Sequence, residues 1–236
     1  MTVSVGPLRA LADVRALSRA QTVPGAQSDV AQSDVAQGGG PTPLERCGLC
    51  AEPIDDDHRH LVDLRQRTLV CTCRPCNLLF ANPGSGSGHL RTVPDRYQVV
   101  EDFALSSVQW DSLQIPVSVA FFFTNSERGN VDAFFPSPAG ATECLLPLDT
   151  WDEVVAANPV LGTIEPDVEA ALVRMPADGA TSAECYLVPI DACYELVGRL
   201  RALWRGFDGG SEARRAMSDF FAGLAERGHP VPGSGR

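Results

Sequence analysis

The sequence predicts an α+β protein: a small cysteine-rich β-hairpin module, then an α+β domain with a mostly antiparallel sheet and C-terminal helices. Three observations carry this expectation. Two Cys-x-x-Cys pairs, Cys47/Cys50 and Cys73/Cys76, flank a stretch of 22 residues that reads as a hairpin excursion. Beyond residue 94, strand-like runs come in hairpin pairs, and no strand–helix–strand alternation compels a parallel sheet. Near the C-terminus, two apolar-periodic segments carry helix start and stop signals.

The elements follow in order. Residues 1–43 are expected to be a disordered segment with a short helix, since Leu8, Leu11, Val14 and Leu17 fall at helical spacing. A duplicated AQSDV unit and a run of glycines and prolines follow, too polar to offset their ordering entropy. The cysteine-rich module spans 44–82, with "HLVDL" and "TLVCT" as the strands of its hairpin. A joint is expected at 83–93 around "NPGSGSGH", which lacks the central serine of a nucleophile elbow. The α+β domain follows at 94–228. It opens on a helix at 106–113, with Ser106 and Gln109 at capping-box spacing. "VSVAFFF" and "VDAFF" form one expected hairpin, and "AALVRM" with "CYLVPI" another. Thr150, with Glu153 three residues on, is the expected cap of a helix between them. Asp191 and Ser211 are the expected caps of the two closing helices, the last ended by Gly228 and Pro230. Residues 229–236 are expected to be a disordered tail.

Composition narrows the chemistry. The net charge of −11 argues against nonspecific nucleic-acid binding, which needs a basic patch. All 19 basic residues other than histidine are arginine. Without lysine there is no P-loop, kinase or Schiff-base lysine. No apolar run approaches the roughly 20 residues that span a bilayer, and the N-terminus lacks the pattern of an export signal. A cytoplasmic protein with reduced cysteines and no membrane insertion is therefore expected.

In that setting Cys-x-x-Cys pairs point to metal or redox work. Cys47, Cys50, Cys73 and Cys76 are the expected metal ligands, as in a zinc ribbon whose two knuckles supply four thiolates. A head of about forty residues buries little core, so an ion would supply much of its stability. Zinc is the expected ion, with iron or an iron–sulfur cluster as the alternative, although the ferredoxin spacings are missing. Ala51 and Asn77 occupy the positions after each pair where a knuckle turns to positive φ, and alanine suits that region poorly. Cys71 shares the strand face of Cys73 and is a reserve ligand, a core residue or a redox thiol. His58 and His60 are further reserve ligands, two residues apart on one face beside Asp55–Asp57; the bland reading makes them polar surface at the hairpin mouth. Cys144, Cys185 and Cys193 sit in apolar contexts that favour packing, although a helix start could lower the Cys193 pKa. No histidine lies in the body of the second domain, so neither a Cys–His pair nor a Ser–His–Asp triad is available and no catalytic residue is assigned. The glycines of "WRGFDGG" (204–210) are expected to cap and turn the chain between the closing helices.

"RCGLCAEPI", "HRHLVDL", "VCTCRPCNLLF", "PDRY", "LQIPVSVAFFF", "FFPSPAGATE", "LVPIDACYELVG" and "WRGFDGG" occur in order over about 44–228. Together they resemble an uncharacterised, mostly actinobacterial family known as a domain of unknown function. Members of that family are often encoded near uptake nickel–iron hydrogenases. The resemblance implies an accessory or maturation role with a hydrogenase subunit or maturation factor as partner, and transfers no catalytic residue. The expected function is thus a non-catalytic metal-binding accessory protein. The alternative is a redox or metal/sulfur-transfer protein using Cys71, Cys73 and Cys76. An enzyme of the α+β body is the weakest reading, since it would rely on carboxylates alone.

Overall fold

The "AFFF" run is apolar at consecutive positions because both faces of its strand are covered. In the computed structural model, which describes residues 45–82, 84–145, 148–176, 183–206 and 209–233, this strand lies near the middle of a seven-stranded sheet. Phe121 faces one side, packing on Phe134 and edge-on against Tyr194; Phe122 faces the other and stacks on Trp151 with ring centroids 4.2 Å apart. Side chains of a strand alternate between faces, so a strand buried on both sides reads as a continuous apolar run.

The chain first builds a small sheet. β1 (Arg59–Asp63) pairs antiparallel with β2 (Thr68–Thr72), as the hairpin pattern predicted. A five-residue helix, α1 (Arg74–Leu78), follows at once. The expected joint at 83–93 is corrected: after a 3-10 turn at Ser85–Gly88 the chain forms β3 (Leu90–Thr92), which adds antiparallel to the free edge of β1. Leu90 is the one apolar residue of this three-residue strand, too short a signal to stand out beside the glycines.

The large sheet runs β10-β4-β9-β8-β5-β6-β7. Its strands are β4 (Gln98–Glu101), β5 (Val119–Asn125), β6 (Asn130–Ser137), β7 (Gly140–Cys144), β8 (Glu169–Arg174), β9 (Glu184–Pro189) and β10 (His229–Pro232). All pairings are antiparallel except β10 with β4, so the α+β expectation with a mostly antiparallel sheet holds. β10 corrects the tail reading: residues 229–232 are a parallel edge strand. Two prolines in that strand concealed it, and an edge is where a missing N–H is tolerated. The expectation for residues 1–43 lies outside the described residues.

Helices cover both faces. On one lie α4 (Ile190–Leu203) and α5 (Gly210–Arg227), whose Leu196, Val197, Leu200, Phe221 and Leu224 pack on Leu172 and Val188. On the other lie α2 (Ser107–Ser112) and α3 (Leu148–Ala157), which contribute Trp110, Trp151 and Val154. The Ser106 capping box forms: Gln109 N–H donates to Ser106 Oγ at 3.2 Å, and Ser106 N–H donates back to Gln109 Oε1 at 3.0 Å. The other three caps are corrected. Thr150, Asp191 and Ser211 all lie inside their helices, which begin one or two residues earlier. Before α5 the capping position is Gly209, at φ 83°, a conformation that glycine adopts without strain. Cys193 is corrected as well: it is fully buried, and burial, with Asp191 nearby, raises its thiol pKa instead of lowering it.

The loop before α2 is tied to the end of α3 by Asn158, which is fully buried. Its amide donates to the carbonyls of Ala104 (2.9 Å) and Val154 (2.8 Å) and accepts from Ala104 N–H (2.8 Å). Asn158→Ala would leave both backbone groups of Ala104 unpaired, a cost of about 2–4 kcal/mol. A downward shift of the urea midpoint by that amount, with unchanged m-value, is the expected result.

The head is docked on the body. Leu69 of β2 and Val93 belong to the core shared with α4 and α5. Two arginines beside that contact reach buried carboxylates. Arg91 of β3 donates to Pro166 O at 2.9 Å and Asp167 Oδ2 at 3.2 Å and also meets Glu165. Arg96 clasps Glu169 through two nitrogens, with Nε at 2.7 Å. Asp167 and Glu169 are 7% and 3% exposed, so each arginine compensates a charge removed from water.

Candidate metal centre

The first cysteine pair sits in a tight knuckle. Ala51 N–H donates to Cys47 O at 2.9 Å, and Cys47 N–H donates to Glu52 O at 2.8 Å. Ala51 carries φ 62°, so the turn expected after the pair is made in spite of its side chain. Gly48 seats the knuckle on β2: its N–H donates to Cys71 O at 2.8 Å, and a Cβ there would lie 2.7 Å from Val70 Cγ1.

The second pair is built differently from the ribbon expectation. Cys73 is the extended residue that precedes α1, with φ −70° and ψ 156°, and Cys76 lies in the first turn of that helix. Asn77, expected at positive φ, is instead helical and buried, and its side-chain amide donates to His60 O at 3.0 Å, tying α1 to β1. The architecture is therefore a knuckle, a hairpin and a helix, not two matched knuckles. Pro75 at the second helical position helps explain it, since its fixed φ favours a helix start.

These elements bring the four predicted sulfurs together. Cys47, Cys50, Cys73 and Cys76 each place a sulfur within 4.8 Å of the other three, and the Cys50–Cys73 separation is 3.6 Å. All four are free thiols. Around an ion with Zn–S bonds of about 2.3 Å, the edge of a tetrahedron is about 3.8 Å, so the spacing fits a closed four-sulfur shell. Burial works against the Cys47 thiolate, but hydrogen bonds from the Cys73, Cys50 and Leu49 backbones and from the Cys50 thiol outweigh it and bring the group down to about 6. Hydrogen bonds to the Cys50 and Cys73 sulfurs push the Cys76 thiol up to about 12. Crowded sulfurs share protons in this way, and a cation in their midst would replace them.

Cys71 does not join this group. β2 ends at Thr72, so the alternation that placed Cys71 and Cys73 on one face stops between them. Its sulfur lies with His58 and His60, and its thiol donates to Glu45 Oε1 at 3.3 Å. Burial, with the Glu45 carboxylate beside it, pushes the Cys71 thiol up to about 12. The histidines are not open surface: their side chains are 8% and 15% exposed. Sequence reasoning missed Glu45, which the fold of the head brings beside His58 and Cys71, and Asp191, whose approach to His60 depends on docking across 131 residues.

A family model, the family of unknown function DUF5947, matches residues 46–228. The chain belongs to that family. The match takes in the cysteine-rich head and the large sheet apart from its edge strand β10, so the two form part of one family unit. No curated protein and no solved structure matches the chain. Among the described residues of this DUF5947 member, no helix is long and apolar enough to cross a membrane.

Proposed function

We propose that this protein is a non-catalytic metal-binding accessory protein with a structural zinc ion held by Cys47, Cys50, Cys73 and Cys76. The convergence of four free thiols from a knuckle and a helix start carries the reading. A four-thiolate shell leaves no position open for water, so the ion would hold the head in shape instead of acting on a substrate. A protein partner fits the surface of the same head, where Leu49, Leu78 and Leu79 are 43%, 61% and 69% exposed. The family resemblance points to a hydrogenase subunit or maturation factor as that partner, and to a cytoplasmic setting where the thiols stay reduced.

Elemental analysis of anaerobically purified protein tests the metal. Colourless protein that retains tightly held zinc is the expected result. A brown protein with iron and visible charge-transfer absorption would replace this reading with an iron–sulfur one. Co-purification with the hydrogenase subunits tests the partner, and Leu78→Glu/Leu79→Glu is expected to abolish it.

A second reading, metal transfer, is favoured by one observation: the group of Cys71, His58 and His60 stands apart from the four-cysteine shell, and its two histidines line an open cleft.

A further inference from the structure

We propose a second metal centre, formed by His58, His60, Cys71 and Glu45, that takes a divalent transition-metal ion from the cleft between the head and α4. One ligand atom from each of His58, His60 and Cys71 lies within 4.8 Å of the others. Glu45 reaches two of the three, with Oε1 3.3 Å from Cys71 Sγ and Oε2 4.0 Å from His58 Nε2.

The hydrogen bonds decide which ring nitrogens are available. His58 Nδ1 is 2.7 Å from Asp55 O, and a carbonyl oxygen can only accept, so Nδ1 carries the proton. His60 Nδ1 is 2.8 Å from Asp191 Oδ2, which orients that ring in the same sense. Both Nε2 atoms then carry free lone pairs. Both are buried and, among the described residues, have no hydrogen-bond partner. A polar atom away from water is costly without a partner, and here two of them accompany a thiol and a carboxylate.

A cation satisfies all four groups at once. Imidazole, thiolate and carboxylate together suit zinc, cobalt, nickel or ferrous iron, and the two anionic ligands neutralise a dication. The outer contacts are also those of a metal site: ligating imidazoles commonly donate their other N–H to a carboxylate or a backbone carbonyl. Asp191 belongs to α4, so this site is complete only when the head is docked on the body. The cleft that reaches it is about 1230 Å³ and is also lined by Arg59, Asp95, Tyr97 and Arg227.

The probe is zinc chloride added to the full chain, followed by desalting, elemental analysis and zinc-edge X-ray absorption. The site predicts about two ions per chain with a mixed nitrogen–sulfur average shell. His58→Ala/His60→Ala is expected to retain about one ion in an all-sulfur shell, which also reports that the rest of the head is folded. Cys71→Ser should weaken the second ion selectively. Asp191→Ala should weaken it about 10–100-fold in a chelator competition. A native protein with one ion in an all-sulfur shell overturns the second centre and leaves the four-cysteine centre standing. One ion in a nitrogen–sulfur shell does the reverse, and no bound ion overturns both. A double-histidine variant that keeps both ions also overturns the proposal.

Discussion

Cys73→Ser is expected to release the proposed structural ion and unfold the head. A serine hydroxyl stays protonated near neutral pH and is a poor ligand, so one corner of the shell is lost while three crowded thiols remain. Structural zinc contributes about 10–16 kcal/mol of apparent binding free energy in small zinc domains, and losing a ligand forfeits much of it. Hydrogen exchange should show the amides of the knuckle, β1 and β2 becoming unprotected, while those of β5, β8 and β9 stay slow. Because Leu69 and Val93 share the core with α4 and α5, the melting temperature of the body should fall as well. Chelating the ion from the native protein should reproduce both effects, with a melting temperature that depends on free zinc. An unchanged exchange pattern in the head would refute the structural role.

Arg96→Met is expected to cost about 3–5 kcal/mol, the range for removing one partner of a buried ion pair. Glu169 is 3% exposed and, among the described residues, keeps one other donor, the Glu165 N–H at 2.8 Å. The variant therefore strands a carboxylate in the interior, where its charged form is poorly solvated. The double variant Arg96→Met/Glu169→Gln should recover part of the loss, since the buried group is then neutral. Urea midpoints of the two variants against the native chain measure the difference. If the double variant were no more stable than Arg96→Met alone, the loss would come from packing by the arginine stem and not from the stranded charge.

The hairpins were legible because their signals are local: apolar runs at β1, β2, β5, β6, β8 and β9 are bounded by turn residues, and the capping box at Ser106 spans only three positions. The three missed caps show the limit of such signals. Asp191 has the chemistry of a cap, but its carboxylate is taken by His60, which is 131 residues away in sequence. The strands at Leu90–Thr92 and His229–Pro232 were hidden for a related reason. A short edge strand is held by its neighbour's backbone hydrogen bonds and needs little apolar patterning of its own.

By itself, the sequence determined the four-cysteine grouping, because two pairs around a hairpin can hardly avoid converging, and it determined the α+β class through strand periodicity and helix punctuation. Only the tertiary structure decided where Cys71 points, that the His58 and His60 side chains are largely withdrawn from solvent, and that Glu45 and Asp191 stand beside them. Those outcomes depend on the point at which β2 ends and on how the head seats against α4, and contacts between distant segments leave no periodic trace in the chain.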